Sequence, residues 1–151
     1  MDTNGGDVPT ADELREEIYR RLNHEYPPFR ELILPIDVQV DSGEVTLTGW
    51  VRTSTMKHMA TMLTEEVPGV QKVHNHLFVD DDLERQVALA LEQEPELEDD
   101  FPGIRVDVLA GVVTLWGEVT SNKEKEKAEE IARRIPGVRK VINDLQIRNE
   151  R

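Results

Sequence analysis

Cysteine is missing from the 151-residue chain, which excludes disulfides, thiolate zinc sites and a thiol nucleophile and agrees with a reducing compartment. Positive charge is also short. Eighteen Lys and Arg face 31 Asp and Glu, for a formal charge of -13. The deficit is general, with 7 basic and 14 acidic side chains in residues 1–80 and 11 and 17 in residues 81–151. Such a surface repels nucleic acid and anionic lipid at long range, so nucleic acid is not an expected partner and contact with any polyanion must be local. No stretch approaches the roughly 18 apolar residues of a membrane span. Residues 1–10 hold Asp, Gly, Asn and Pro without an apolar run, and they read as a disordered leader rather than a signal peptide, with a cytoplasmic location as the expectation. Aromatic residues are few enough for each to matter: two Trp, two Tyr and three Phe.

What the chain does have is an internal repeat. The stretch Val38–Val79 returns at Val106–Ile147 with every position shifted by 68 and no gap, and 17 of the 42 aligned positions are identical. The identities lie at apolar, Gly, Pro and Asn positions far more often than at charged ones. A duplicated fold leaves that mark, because a fold needs its glycines and core kept, whereas a duplicated active site would keep polar groups. Each unit is about 70 residues, near the lower size at which a domain folds alone, so the halves are expected to lean on each other.

The elements follow from periodicity. Leu14, Ile18 and Leu22 form a helical stripe opened by Asp12 and Glu13 and closed before Pro27-Pro28, with a loop from Asn23 to Pro35. Ile36, Val38 and Val40 alternate with polar residues, Asp41-Ser42-Gly43-Glu44 makes a tight turn, and Val45, Leu47, Gly49 and Val51 face inward on the returning strand. Gly49 and its copy Gly117 remove a side chain where another element approaches the sheet, and Gly43, Gly69, Gly111 and Gly137 serve turns. Thr53-Ser54 caps a second helix running to about Val67, with Ala60, Leu63 and Val67 buried, and Pro68-Gly69 ends it. A third strand places Val73, Asn75, Leu77 and Val79 on one side and His74, His76 and Phe78 on the other. In the second unit Asp80-Asp81-Asp82 caps a helix carrying Leu83, Val87 and Leu91, and Glu92–Asp100 reads as a solvated acidic loop. The expected fold is α+β: two tandem αββαβ domains, at 11–80 and 81–151, each a three-stranded mixed sheet with two helices on one face.

These residues resemble a known family. The strand Gly-Glu-Val-Thr-Leu-Thr-Gly-Trp-Val at 43–51, its partner Gly-Val-Val-Thr-Leu-Trp-Gly-Glu-Val at 111–119, the Pro-Gly-Val turns and the Val-x-Asn-x-Leu strands at 73–77 and 141–145 are similar to the BON domain, present twice. The resemblance implies a small α+β module that binds phospholipid or attaches proteins to membrane surfaces, often in exported osmotic-stress proteins. It also implies a potassium-binding alternative, known where the module is joined to a LysM domain.

No catalytic site is expected. Ser42, Ser54 and Ser121 read as turn or cap residues, all four His lie in the first unit, and the glycines form no phosphate-binding loop. His74 and His76 leave one strand face without a visible third ligand, so neither metal nor cofactor is expected. The more informative residues are Trp50, Phe78 and Trp116, which project on the sheet faces opposite the helices, where large aromatics indicate a contact. Met56, Met59 and Met62 widen the stripe of the second helix. Lys123, Arg134, Arg139 and Lys140 are the expected contacts for an anionic phospholipid headgroup, the ligand that the resemblance implies, although Glu124, Glu126, Glu129 and Glu130 are interleaved with the basic residues of that helix. The alternative partner is another protein or a second copy of the chain, with the open sheet faces joining domains or subunits.

Overall fold

The computed structural model describes residues 8–100 and 103–148. The chain divides into two compact units, Met1–Phe78 and Val79–Arg151. The leader expected at 1–10 lies outside the described residues except for its last three, and these begin the fold. Thr10 caps α1 (Ala11–Glu25) in a capping box, its hydroxyl accepting from Glu13 N while the Glu13 carboxylate accepts from Thr10 N. The start is therefore set by Thr10, with the acids Asp12 and Glu13 in the first turn. Leu14, Ile18 and Leu22 are buried as the spacing predicts.

In the first unit β1 (Asp37–Asp41) and β2 (Glu44–Thr48) pair antiparallel, and β4 (Lys72–Asn75) lies parallel to β2. Short strands β3 (Trp50–Val51) and β5 (Phe78–Val79) continue β2 and β4 beyond Gly49 and His76-Leu77. Helix α2 spans Ser54–Glu65, two residues short of the expected end, with Thr53 as its cap. The inward set Ile36, Val38, Val45, Leu47 and Val51 is buried against α1 and α2, while the alternate residues face water. Tyr19 completes the edge: its hydroxyl accepts from Val38 N at 3.1 Å.

The second unit repeats this plan with β6 (Ile104–Leu109), β7 (Val112–Val119) and β8 (Lys140–Ile147), in the order β6-β7-β8 with antiparallel and then parallel pairing. Its helices are α3 (Asp80–Glu92) and α4 (Asn122–Arg133). Two expectations change here. The acids at 80–82 do not cap α3 through a side chain, since Val79 occupies the cap position without a side-chain bond. Asp80 instead turns inward, and its carboxylate accepts from Ala110 N and Gly111 N at 2.7 and 3.0 Å, tying the helix start to the β6–β7 turn. The acidic segment is likewise not a solvated loop throughout. Pro95–Asp100 forms a 3-10 helix and Leu97 is fully buried. Its counterpart 68 residues earlier is Phe29, buried in the 3-10 helix Pro27–Glu31 that replaces the middle of the expected first-unit loop.

One polar device and one glycine recur at the same spacing. The Asn75 amide donates to Lys57 O at 2.8 Å and Thr61 Oγ1 at 2.7 Å, and its oxygen accepts from Leu77 N; Asn143 does the same with Lys125 O, Glu129 Oε1 and Leu145 N. Each asparagine thus fastens a helix to the strand beneath it, which explains an identity that hydrophobic patterning alone leaves without a reason. The inward glycine recurs with different strictness. Gly117 has φ 119°, and a Cβ there would sit 1.7 Å from Gly103 O, whereas at Gly49, with φ 130°, the nearest atom would be Ile36 Cα at 3.6 Å. Close approach decides the second position and backbone conformation alone the first. Gly117→Ala should therefore cost about 3 kcal/mol or more and Gly49→Ala about 1–2 kcal/mol. Urea denaturation of the two variants checks this, and equal losses would refute the distinction. Asn143→Ala should cost about 1–3 kcal/mol in the same assay, because buried donors and acceptors lose their partner.

Candidate functional site

The outer face of the first sheet is built by the residues that alternation turns away from the core. Asp37 lies opposite Thr48, Gln39 opposite Thr46, and Thr46 in turn opposite His74. Most of this surface is polar and suits water. At one end the character changes. The chain leaves β2 at Gly49 and re-enters extended structure at Trp50, which stacks on Phe78 with ring centroids 6.0 Å apart and planes inclined by 26°. Phe78 N donates to Gly49 O at 2.9 Å and holds the two aromatics in register. Phe78 remains 38% exposed, too much for a core residue.

Beside the pair lies a hollow of about 440 Å³, within the size range of small-molecule sites, walled by Leu34, Pro35, Gly49, Trp50, His76 and Phe78. Asp37 and Thr48 complete it. The Asp37 carboxylate accepts from Gln39 Nε2 at 3.2 Å and from Thr48 Oγ1 at 3.4 Å, which holds its negative charge at the wall of a mainly apolar hollow. Leu34 and Pro35 come from the proline-marked loop before β1; no signal short of the fold itself brings them beside Phe78.

The second unit supplies an internal control. At the places of Trp50 and Phe78 it carries Glu118 and Gln146, and Glu118 pairs with Arg148 at 3.8 Å. Where the first unit has Asp37 and His76 it has Arg105 and Asp144. The same scaffold forms without the aromatics, so folding does not require them. Trp116 sits two residues earlier along its strand than Trp50 does along its own, flanked in register by Arg105 and Asp144 and 42% exposed. Leu109 and Ile142 are exposed on that same face at 37 and 38%. Both sheet faces therefore present apolar side chains, arranged differently.

The methionines separate. Met56 is buried in the core, Met59 is half-buried and Met62 is exposed at 41%. Three basic residues at α4 are engaged with acids: Arg134 and Lys127 both reach Glu130, at 3.2 and 3.6 Å, and Arg133 reaches Glu129 at 3.0 Å. Arg139 donates to Ala110 O at 3.0 Å and so belongs to the same turn that Asp80 holds. Lys123 borders a shallow hollow shared with Glu126, Glu129 and Glu130, and Lys140 is exposed at the start of β8. The histidines form no cage. His74 and His76 are 6.4 Å apart between centroids, His74 bonds to Glu44, and among the described residues no group of three or more His, Cys, Asp or Glu could hold a metal ion.

With this geometry in hand the comparisons are decisive for the family. The BON domain model matches the chain twice, at residues 10–81 and 79–149. The chain belongs to the BON domain family. Its two BON domains are similar to osmotically-inducible protein Y of Escherichia coli (strain K12), 34% identical over 122 residues that cover 74% of this chain and 61% of that protein. The tandem BON chain thus spans about three-fifths of that relative's length. Among solved structures it resembles CdsD, described as a structural protein of the type III secretion system of Chlamydia trachomatis, with a TM-score of 0.43 at 12% identity over 89% of this chain and 93% of that one. The C-terminal domain of CdsD gives 0.42 at 13% identity, covering 87% and 98%. No helix among the described residues is long and apolar enough to cross a membrane.

One titration follows from the outer face. The hydrogen bond from His74 holds the Glu44 carboxyl below its ordinary value of 4.5, outweighing the opposing effect of desolvation, with the charges of His74 and Lys72 adding to it. A depressed carboxyl contributes stability that is present above the ordinary value and lost as pH falls through the folded one. In a carbon-detected NMR titration Glu44 should titrate below an unpaired glutamate and return to the ordinary range in His74→Ala. An unchanged Glu44 in that variant would remove His74 as the cause.

Proposed function

We propose that the chain is a non-catalytic binding module of the stress response that attaches to a phospholipid surface through its open sheet faces. The observation that carries this reading is the Trp50–Phe78 pair, a half-buried ring stacked on an exposed one beside an apolar hollow and replaced by Glu118 and Gln146 in the unit that does without it. Aromatics with one apolar side and access to water suit the boundary between headgroups and acyl chains. Trp116, Leu109 and Ile142 give the second unit a shallower patch of the same kind. The family and the osmotically-inducible relative support a stress-related binding role.

The contact is assigned to the sheet faces in preference to the basic residues of α4, because Arg133, Arg134 and Lys127 are already balanced by Glu129 and Glu130 and the whole chain carries -13. Peripheral attachment through charge needs an uncompensated basic cluster. Attachment through an apolar wedge does not. Tryptophan fluorescence tests the proposal: adding phospholipid vesicles should shift the emission to the blue, and Trp50→Glu with Phe78→Gln, substitutions that the second unit already accommodates, should remove most of the shift. Emission that is already blue and indifferent to vesicles, together with a mass in solution above that of one chain, would overturn lipid attachment and assign the faces to an interface between copies.

A further inference from the structure

We propose that the hollow beside Trp50 and Phe78 binds a quaternary ammonium group. The inference takes its location from the reading above and adds the chemistry of the ligand. A cation is indicated first by charge. The one carboxylate at the hollow, Asp37, is fixed by Gln39 and Thr48 with its charge at the wall, and the first unit carries twice as many acids as bases. An anion finds repulsion there from both sources. The aromatic face is the second indication. The electron-rich faces of Trp and Phe attract a cation placed over the ring, and Trp does so most strongly.

What distinguishes a quaternary ammonium from a lysine side chain or a metal ion is the lack of hydrogen-bonding partners. A primary ammonium brings three N–H donors that need acceptors, and a hard metal ion needs several oxygen ligands. The hollow offers mainly Leu34, Pro35 and the two rings, and its polar side chains are few: Asp37 and Thr48, which are bonded to each other, and His76. A methylated nitrogen has no N–H to satisfy, and its methyl groups bury well against apolar walls. The volume of about 440 Å³ leaves room for a choline-sized group with the chain that carries it. The second unit again marks the site as specific, since Arg105, Glu118 and Gln146 stand where the first unit has Asp37, Trp50 and Phe78.

The test uses the full chain and choline chloride, followed by the two tryptophan indole N–H signals in proton–nitrogen correlation spectra and assigned with Trp116→Phe. Choline should move the Trp50 signal saturably, in the millimolar range expected for one cation–π contact, and leave Trp116 in place. The neutral carbon isostere of choline, dimethylbutanol, should bind about tenfold more weakly or less. Asp37→Asn should weaken choline about threefold or more, and Phe78→Gln should abolish the shift while leaving the remaining spectrum intact. No movement of Trp50, or equal binding of the isostere, would overturn the proposal. Vesicles separate the sources of the group. A Trp50 response to phosphatidylcholine vesicles that free choline competes away supports a headgroup ligand. A response to free choline with none to any vesicle supports a soluble ligand and removes the membrane reading. Equal responses to phosphatidylcholine and phosphatidylglycerol vesicles, insensitive to choline, overturn the ammonium site and leave surface attachment standing.

Discussion

Two helices suffice to cover one face of a three-stranded sheet, and in each unit both are spent on the same face. The inward residues of the strands, from Val38 and Leu47 in the first unit to Val113 and Leu115 in the second, lie against α1 and α2 or α3 and α4 at almost no exposure. The opposite face is left to water by geometry. Its residues are then under no obligation from folding beyond strand propensity, and whatever apolar character they show has to be explained by contact with something else. This is why a fold that reads so clearly in the sequence says little about function until the outer face is considered residue by residue.

The alternation of apolar and polar residues, the turn glycines and the proline stops were legible because each acts over a few neighbouring positions. What escaped was long-range or dependent on exact geometry. Asp80 reads as a helix cap among three acids, yet it is the residue that reaches the turn at Ala110-Gly111, 30 positions away, where a left-handed Ala at φ 52° followed by Gly at φ 79° presents two amide hydrogens to one carboxylate. Arg139 reads as a lipid-facing cation and is found bonded to the carbonyl of that same Ala110. Leu97 is hidden in its acidic surroundings, although Phe29 stands 68 residues before it and Pro27 before Pro95. Extending the repeat backwards through those prolines would have found it. Leu34 and Pro35 carried no such signal, since a hollow formed by a loop packing beside a strand end exists only once the loop has a place.

Duplication makes the chain its own reference. Where the two units agree, as in the asparagine clamps of Asn75 and Asn143 or the turns at Gly43 and Gly111, the shared feature is what the scaffold needs. Where they disagree, the scaffold is indifferent and other demands decide. By that measure the charge reversal from Asp37 to Arg105 and the exchange of Trp50 and Phe78 for Glu118 and Gln146 are the differences with most chemical content on the outer face, and they cluster at one hollow. The difference at the inward glycine belongs to the other class. Gly117 is demanded by Gly103 O, a constraint within the second unit alone.

The charge of the chain narrows what such a hollow can recognise. Lys127 and Arg133 of α4 and Arg134 at its end are held by glutamates one turn away, which weakens them as anchors for an anionic surface, while the acidic excess persists in both units. Exposed ion pairs of this kind add little stability, so their value lies in keeping the surface soluble and without a dominant positive field. An acidic module cannot gain affinity for anionic lipid from long-range attraction. It has to gain it at contact distance, from apolar area and from a site whose own charge selects the opposite sign. The aromatic hollow with Asp37 at its wall meets both conditions in one place, which ties the choice of surface to the choice of ligand.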